Sequence, residues 1–164
     1  MKSLLATSSR AGGGHWLTRF ATLVASGHRV LDALQAPAAL LARLYVANAF
    51  FSSGLTKLRD WDITLSLFMD EYHVPLLPPE LAAWMGTAGE LVLPVLLVLG
   101  LGGRFAALGL SVVNVMAVLS LSEIAPAALQ QHITWGVLLL TLALYGQGAW
   151  AADRPKSRPR PSGK

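Results

Sequence analysis

The fold is decided by residues 80–101, which read ELAAWMGTAGELVLPVLLVLGL. This stretch has about the 20 residues that a helix needs to cross the hydrocarbon core of a bilayer. After its first position it contains a single ionisable residue, Glu90. Three other apolar stretches of similar length lie at about 38–58, 104–124 and 130–151. The sequence therefore predicts an all-α fold, an integral membrane four-helix bundle.

The composition supports a lipid environment. The chain is 54% hydrophobic and 13% charged, whereas an ordinary soluble domain has about 25% charged residues. It contains no cysteine, which excludes disulfides, iron–sulfur clusters and a cysteine nucleophile within this chain. The net charge of +4 comes from basic residues near the two ends of the chain, so membrane orientation explains it better than nucleic-acid binding.

Two shorter amphipathic helices are predicted outside the spans. Residues 1–36 form a leader whose apolar side chains recur at helical spacing, which indicates an N-terminal amphipathic helix at the membrane interface; an irregular leader after the glycine run at 12–14 is the alternative. In the polar segment 59–79, a short outer-face loop helix capped near Asp60 would carry Trp61, Phe68 and Tyr72 on one face. These three aromatic residues are the candidates for binding a partner protein.

Basic residues determine the predicted orientation. The leader carries four of the 13 lysines and arginines, the link between the second and third spans carries one, and the tail at 153–164 carries five. With four spans these segments share one side, which the positive-inside rule assigns to the cytoplasm. We therefore expect a multi-pass protein of the bacterial cytoplasmic (inner) membrane, with a leader at 1–36, a four-helix domain at 37–152 and a disordered basic tail.

Each predicted span contributes one polar side chain at a similar depth. Counting about 1.5 Å per residue from the cytoplasmic end of each helix places these side chains roughly 15 Å deep. An ionisable group there costs about 2.5 to 3.5 kcal/mol on insertion scales, so a carboxylate is the strongest functional candidate, whereas amides and hydroxyls commonly join helices. The midplane polar layer, a candidate ligand site, consists of Asn48, Glu90, Asn114 and Thr141.

Glu90 is also distinguished by its position before a proline. Pro94 follows four residues later and cannot donate to the Glu90 carbonyl, which predicts a kink. Unpaired, the carboxyl group would become neutral; paired with Arg43, it would stay ionised. Either state makes Glu90 a candidate for proton handling, with Arg43 and Lys57 as further catalytic candidates, although Arg43 could simply extend to the headgroups.

Ionisable residues near the outer ends of the spans could surround a shallow pocket under the loop helix, although most such residues are interfacial anchors. They are Lys57, Arg59, His73, Glu123 and His132. The four histidines lie in the leader, in the loop or near a helix end, so a haem held by this chain is not expected. No pattern of metal ligands is visible, and we expect no metal site.

Several elements together resemble the DoxX family of membrane proteins. They are Arg43, the segment FFSSGLTKL at 50–58, Glu90, the segment GLGGRFAAL at 100–108, and GQG at 146–148 followed by Asp153. The likeness covers about residues 38–153. It implies a four-helix membrane bundle that serves as a subunit or partner of a membrane redox complex.

The family likeness also sets the functional expectations. The namesake is similar to a small subunit of an archaeal thiosulfate:quinone oxidoreductase, and other relatives accompany superoxide-detoxifying or thiol-redox proteins. Some bacterial relatives with a loop like residues 61–79 are encoded beside peptide-modifying, metal-stress systems.

Three functions stay open at this point. The first is an accessory or quinone-interacting subunit of a membrane redox or stress-response system, with quinone as the only cofactor implied and a protein partner or second copy beside it. It would be part of a membrane oxidoreductase rather than a self-sufficient enzyme. The second is a non-catalytic scaffold or assembly partner that uses the aromatic loop, and the third is a partner in small-solute or ion transport.

Overall fold

The computed structural model describes residues 15–153, with side chains from residue 19 onward. Within these residues the structure has only helices, and it confirms the all-α fold. The helices are α1 (His15–Arg59), α2 (Trp61–Asp70), α3 (Pro79–Leu99), α4 (Gly103–Leu119) and α5 (Pro126–Tyr145). Most of the predicted leader is part of α1, while the first 14 residues and the basic tail from 154 lie outside the described residues.

Three of these helices are long and apolar enough to cross a membrane. They are α1, counted from Arg19, together with α3 and α5. Helix α4 is also apolar, but its 17 residues are fewer than the sequence predicted, since it ends at Leu119 rather than near residue 124. The carbonyl of Ser120, the residue that follows, accepts a hydrogen bond of 2.8 Å from the His73 N–H. The protein is a helical membrane bundle whose exposed helix faces are rich in leucine and valine.

The described residues divide into two compact units, one before and one after the boundary between Gln35 and Ala36. In the first unit, the side chains described from residue 19 onward are exposed, and the hydrogen bonds of Arg29 and Gln35 are local ones within α1. Helix α1 contains Pro37 as an internal residue, at the place where the sequence predicted the boundary between leader and first span. The interfacial position of the leader stays a prediction.

The core of the second unit is built from large side chains facing very small ones. Val46, Phe50, Leu97 and Leu110 are buried against alanines of α4 and α5. Small side chains let membrane helices approach closely, which increases packing contacts where water gives no driving force. Gly109 of α4 shows how close the approach is, because a Cβ atom added there would lie 2.9 Å from a methyl group of Leu93.

Helix α2 begins where the sequence predicted. The Asp60 side chain accepts a 3.0 Å hydrogen bond from the Ile63 N–H, which satisfies a donor that the helix itself leaves free. Phe68 of α2 is buried with Ala82 and Ala83 of α3 in a second apolar cluster. This packing places α2 on the first turns of α3.

The turn between α3 and α4 is held by the segment that follows α5. The Gln147 amide donates to the Gly103 carbonyl at 2.6 Å, and the Asp153 carboxylate accepts from the Gly103 N–H at 3.1 Å. Gly100 has a φ of 70°, and a Cβ atom there would lie 2.7 Å from the Ala151 Cα. Residues 146–153 therefore form a closing segment that fits only against a turn built from glycine.

Candidate functional site

A cavity of about 420 Å³ lies at the end of the bundle that carries α2, and its wall includes residues of all five helices. The wall is mainly apolar and aromatic, with contributions from Phe50, Phe68 and Trp135. A few polar side chains interrupt it: Ser53, Lys57, Tyr72, Glu90, Ser120 and His132. A largely apolar pocket with a small number of convergent polar groups is the usual form of a small-molecule site.

The central polar feature of the cavity is an ion pair between α1 and α3. Lys57 Nζ lies 2.7 Å from Glu90 Oε1 and 2.5 Å from Glu90 Oε2. The same ammonium group donates to the Ser53 hydroxyl at 3.0 Å, one helical turn earlier. The two charged side chains are only 19% and 9% exposed, so the pair is largely removed from solvent.

A glycine makes this ion pair possible. Gly54 lies on α1 between Ser53 and Lys57, and a Cβ atom there would come within 2.9 Å of Leu91 and 3.1 Å of the Glu90 Cβ. A larger residue would therefore require the Leu91 side chain to move or the two helices to separate at the level of the carboxylate. The segment Ser53-Gly54 therefore brings the two backbones close enough for the lysine to reach Glu90.

The loop helix is tied to the same place. The Thr64 hydroxyl of α2 donates to the Lys57 carbonyl at 2.9 Å and is itself buried. Phe68 and Tyr72 pack edge to face, with ring centroids 5.1 Å apart, and both rings line the cavity. Burial first, and then the charges of Glu71 and Glu90, raises the pKa of the Tyr72 phenol above its ordinary value.

On the opposite wall, α4 and α5 are joined by a reciprocal pair of hydrogen bonds. Asn114 Nδ2 donates to the His132 carbonyl at 3.0 Å, and Asn114 Oδ1 lies 2.8 Å from His132 Nδ1. The His132 ring packs edge to face on Trp135, with ring centroids 5.0 Å apart. The Trp135 ring in turn packs against Phe50, with ring centroids 5.5 Å apart. The Trp135 Nε1 atom is buried and has no hydrogen-bond partner in the structure.

The structure brings two of the three catalytic candidates together. Glu90 pairs with Lys57 rather than with Arg43, which the sequence had offered as its partner. Arg43 lies 14 residues before Lys57 on α1, or about 21 Å along the helix axis. It is fully buried at the other end of the bundle, where it donates to the Val98 carbonyl at 3.3 Å.

The four residues of the predicted midplane layer do not share one site. Glu90 and Asn114 are buried, and Asn114 reaches the cavity through His132. Thr141 is exposed and its hydroxyl donates to the Val137 carbonyl of its own helix. Asn48 is exposed in a separate apolar groove between α1 and α3.

The three aromatic residues predicted to bind a partner are engaged within the chain. Trp61 stacks on Trp84 of α3 with ring centroids 4.2 Å apart, and Phe68 is buried. Tyr72 is half-buried at the cavity. Their role toward a partner stays a prediction.

Of the five residues assigned to the outer ends of the spans, Lys57 and His132 line the cavity, while Arg59, His73 and Glu123 are exposed. Sequence reasoning missed Trp135 altogether. The available signal was its position three residues after His132, which puts both rings on one face of α5. In the described range 15–153, no three histidine, aspartate or glutamate side chains are placed to hold a metal ion.

A sequence model of the DoxX family matches residues 38–123. This chain belongs to the DoxX family. No curated protein and no solved structure matches the chain significantly. The matched region contains Lys57, Glu90 and Asn114, whereas His132 and Trp135 lie beyond it, so one wall of the cavity in this DoxX protein comes from outside the matched region.

Proposed function

We propose that this DoxX-family protein is an accessory subunit of a membrane redox or stress-response system, and that its cavity binds a small neutral ring compound of the quinone class. The observation that carries the proposal is the buried Lys57–Glu90 ion pair in the wall of an otherwise apolar, aromatic cavity. Because the two charges cancel, the site favours a neutral molecule over an ion.

The size and the access of the cavity support this ligand class. Its volume of about 420 Å³ falls in the range of about 300 to 1,000 Å³ that is typical of small-molecule sites. Met85 and Val112 belong to its wall and are 55% and 62% exposed on α3 and α4. Since exposed faces of membrane helices contact lipid, a ligand dissolved in the bilayer could enter between these two residues.

The chemistry of the chain suits a binding subunit rather than a complete enzyme. It has no cysteine to hold an iron–sulfur cluster or to form a redox-active disulfide, and in the proposed role electrons would come from or go to a partner protein in the complex. The Glu90 carboxylate would provide a site where a proton could be accepted beside the ligand. The alternative role as a scaffold depends on the aromatic loop, whose rings Trp61 and Phe68 are already packed within the chain.

The test is a binding measurement on the intact protein in lipid nanodiscs. Decylubiquinone, a short-tailed benzoquinone, is equilibrated with the wild type and with Gly86→Leu, which fills the cavity from α3. Gly86 lines the cavity, and a Cβ atom there has only an ordinary contact of 3.6 Å with Phe68, so the backbone can accept a side chain. Thr141→Leu adds a leucine to the exposed face of α5 as the matched control.

We expect saturable binding to the wild type and to Thr141→Leu, and at least a tenfold weaker affinity for Gly86→Leu. Binding that is equal in all three proteins, or equal to that of empty nanodiscs, would mean that the quinone merely dissolves in the lipid. That result would refute the proposed function.

A further inference from the structure

The ion pair offers acceptor capacity to a ligand. The Lys57 ammonium group donates to the Glu90 carboxylate and to the Ser53 hydroxyl. Each carboxylate oxygen can accept more than one hydrogen bond, so Glu90 retains acceptor capacity at the cavity wall.

The opposite wall offers another acceptor, because Asn114 determines the tautomer of His132. The His132 carbonyl can only accept, so the Asn114 atom 3.0 Å from it must be the amide nitrogen. The amide oxygen then lies 2.8 Å from His132 Nδ1, which must carry the proton. Among the described residues, no carboxylate forms a salt bridge with His132. In the neutral imidazole ring with Nδ1 protonated, the Nε2 atom is a hydrogen-bond acceptor.

The same wall carries a hydrogen-bond donor, in the ring of Trp135. Trp135 Nε1 is buried, has no partner among the described residues, and belongs to a ring that packs on His132. An unsatisfied N–H of this kind is costly in an apolar environment. A hydroxyl group is the simplest ligand group that could donate to His132 Nε2 and also accept from Trp135 Nε1.

We infer that the cavity is selective for a ring compound bearing hydroxyl donors, which is the reduced quinol form, over the carbonyl form of the same compound. The inference rests on the proposed function and names the form of its ligand. A quinone offers only acceptors, which could accept from Trp135 Nε1 but could not form hydrogen bonds with the Glu90 carboxylate or with His132 Nε2. A quinol supplies hydrogens to both walls.

The experiment compares three ligands with the same ring and tail under anaerobic conditions: decylubiquinol, decylubiquinone and the dimethyl ether of decylubiquinol. Affinities are measured by equilibrium dialysis against the full chain in nanodiscs. We expect the quinol to bind roughly three- to tenfold more tightly than either compound without hydroxyl donors, as one net hydrogen bond would give. In His132→Phe this preference should fall toward unity while the affinity for the ether stays within about twofold.

The outcomes separate this inference from the function on which it rests. If none of the three ligands binds saturably, the proposed function fails and the inference fails with it. If all three bind equally well, or the quinone binds best, the cavity is a ring-binding site but the selectivity is refuted. Should His132→Phe not accumulate in the membrane, the ranking of the three ligands on the wild type decides the question alone.

Discussion

Replacing Lys57 with methionine leaves the Glu90 carboxylate in the cavity wall without its counter-charge. Removing one partner of a buried ion pair costs about 3 to 5 kcal/mol, because the remaining charge stays desolvated. Since Lys57 is 19% exposed and the pair is not completely dry, we expect Lys57→Met to lower the free energy of unfolding by about 3 kcal/mol.

The measurement is unfolding in mixed micelles by titration with sodium dodecyl sulfate, followed by circular dichroism. Arg59→Met is the matched control, because Arg59 ends the same helix but is exposed; it should change the stability by less than about 0.5 kcal/mol. The double variant Lys57→Met/Glu90→Leu removes both charges and should return to within about 1 kcal/mol of the wild type. Equal losses of stability in Lys57→Met and Arg59→Met would refute the reasoning. So would a double variant whose loss equals the sum of the losses in Lys57→Met and Glu90→Leu measured separately.

Two other predictions concern the ends of the bundle. Gly103→Ala places a methyl group inside the space of the buried Gln147 side chain, and this overpacking should cost about 2 kcal/mol in the same unfolding assay. Gly27→Ala, where a Cβ atom meets nothing within 4 Å, should be neutral or slightly stabilising, and a similar loss at both glycines would contradict the role of the closing segment. Burial raises the pKa of Tyr72, with Glu71 and Glu90 adding to it, so the folded state holds the phenol proton more tightly than the unfolded state does. That contribution to stability is complete below the unfolded pKa of about 10 and is lost as the pH rises through the higher folded pKa. In the same unfolding assay, the wild type should therefore lose more stability above pH 10 than Tyr72→Phe does. Parallel pH profiles of the two proteins would contradict this prediction.

Local features of the fold were readable from the sequence because they depend on near neighbours. Asp60 was expected to cap α2, and its side chain accepts from the Ile63 N–H. The span that contains Glu90 was expected to begin at residue 80, and α3 begins one residue earlier, at Pro79, since proline suits the first turn of a helix. In each case, the backbone chemistry of one or two residues determines the result.

The partner of Glu90 could not be read in the same way. Counting depth along each helix assumes that the helices start at one level and run straight across the membrane, and on that assumption Arg43 was a reasonable partner. The actual register between α1 and α3 depends on where Gly54 allows the backbones to meet. That is a property of two surfaces, which periodicity along one helix does not contain.

Counting depth along a helix without considering which face a residue occupies also explains why Thr141 was assigned to the polar layer. It lies between Leu139 and Leu142, which are both buried, and at about 100° per residue these two leucines are on a face that Thr141 does not share. Its exposed position was therefore available from the helical spacing of α5. The link from Asn114 to His132 was not, because it joins two helices whose relative rotation only the packed bundle determines.

The ion pair itself is the strongest argument that this bundle binds something. Two apolar side chains of similar volume at positions 57 and 90 would hold α1 against α3 at least as well, since buried ion pairs seldom stabilise more than hydrophobic replacements do. Packing alone therefore gives no reason for a lysine and a glutamate here. What the pair adds is a polar surface without net charge on a cavity wall, with acceptor capacity of the Glu90 carboxylate still available. Such a surface suits the proposed ligand, a ring compound that carries hydroxyl donors.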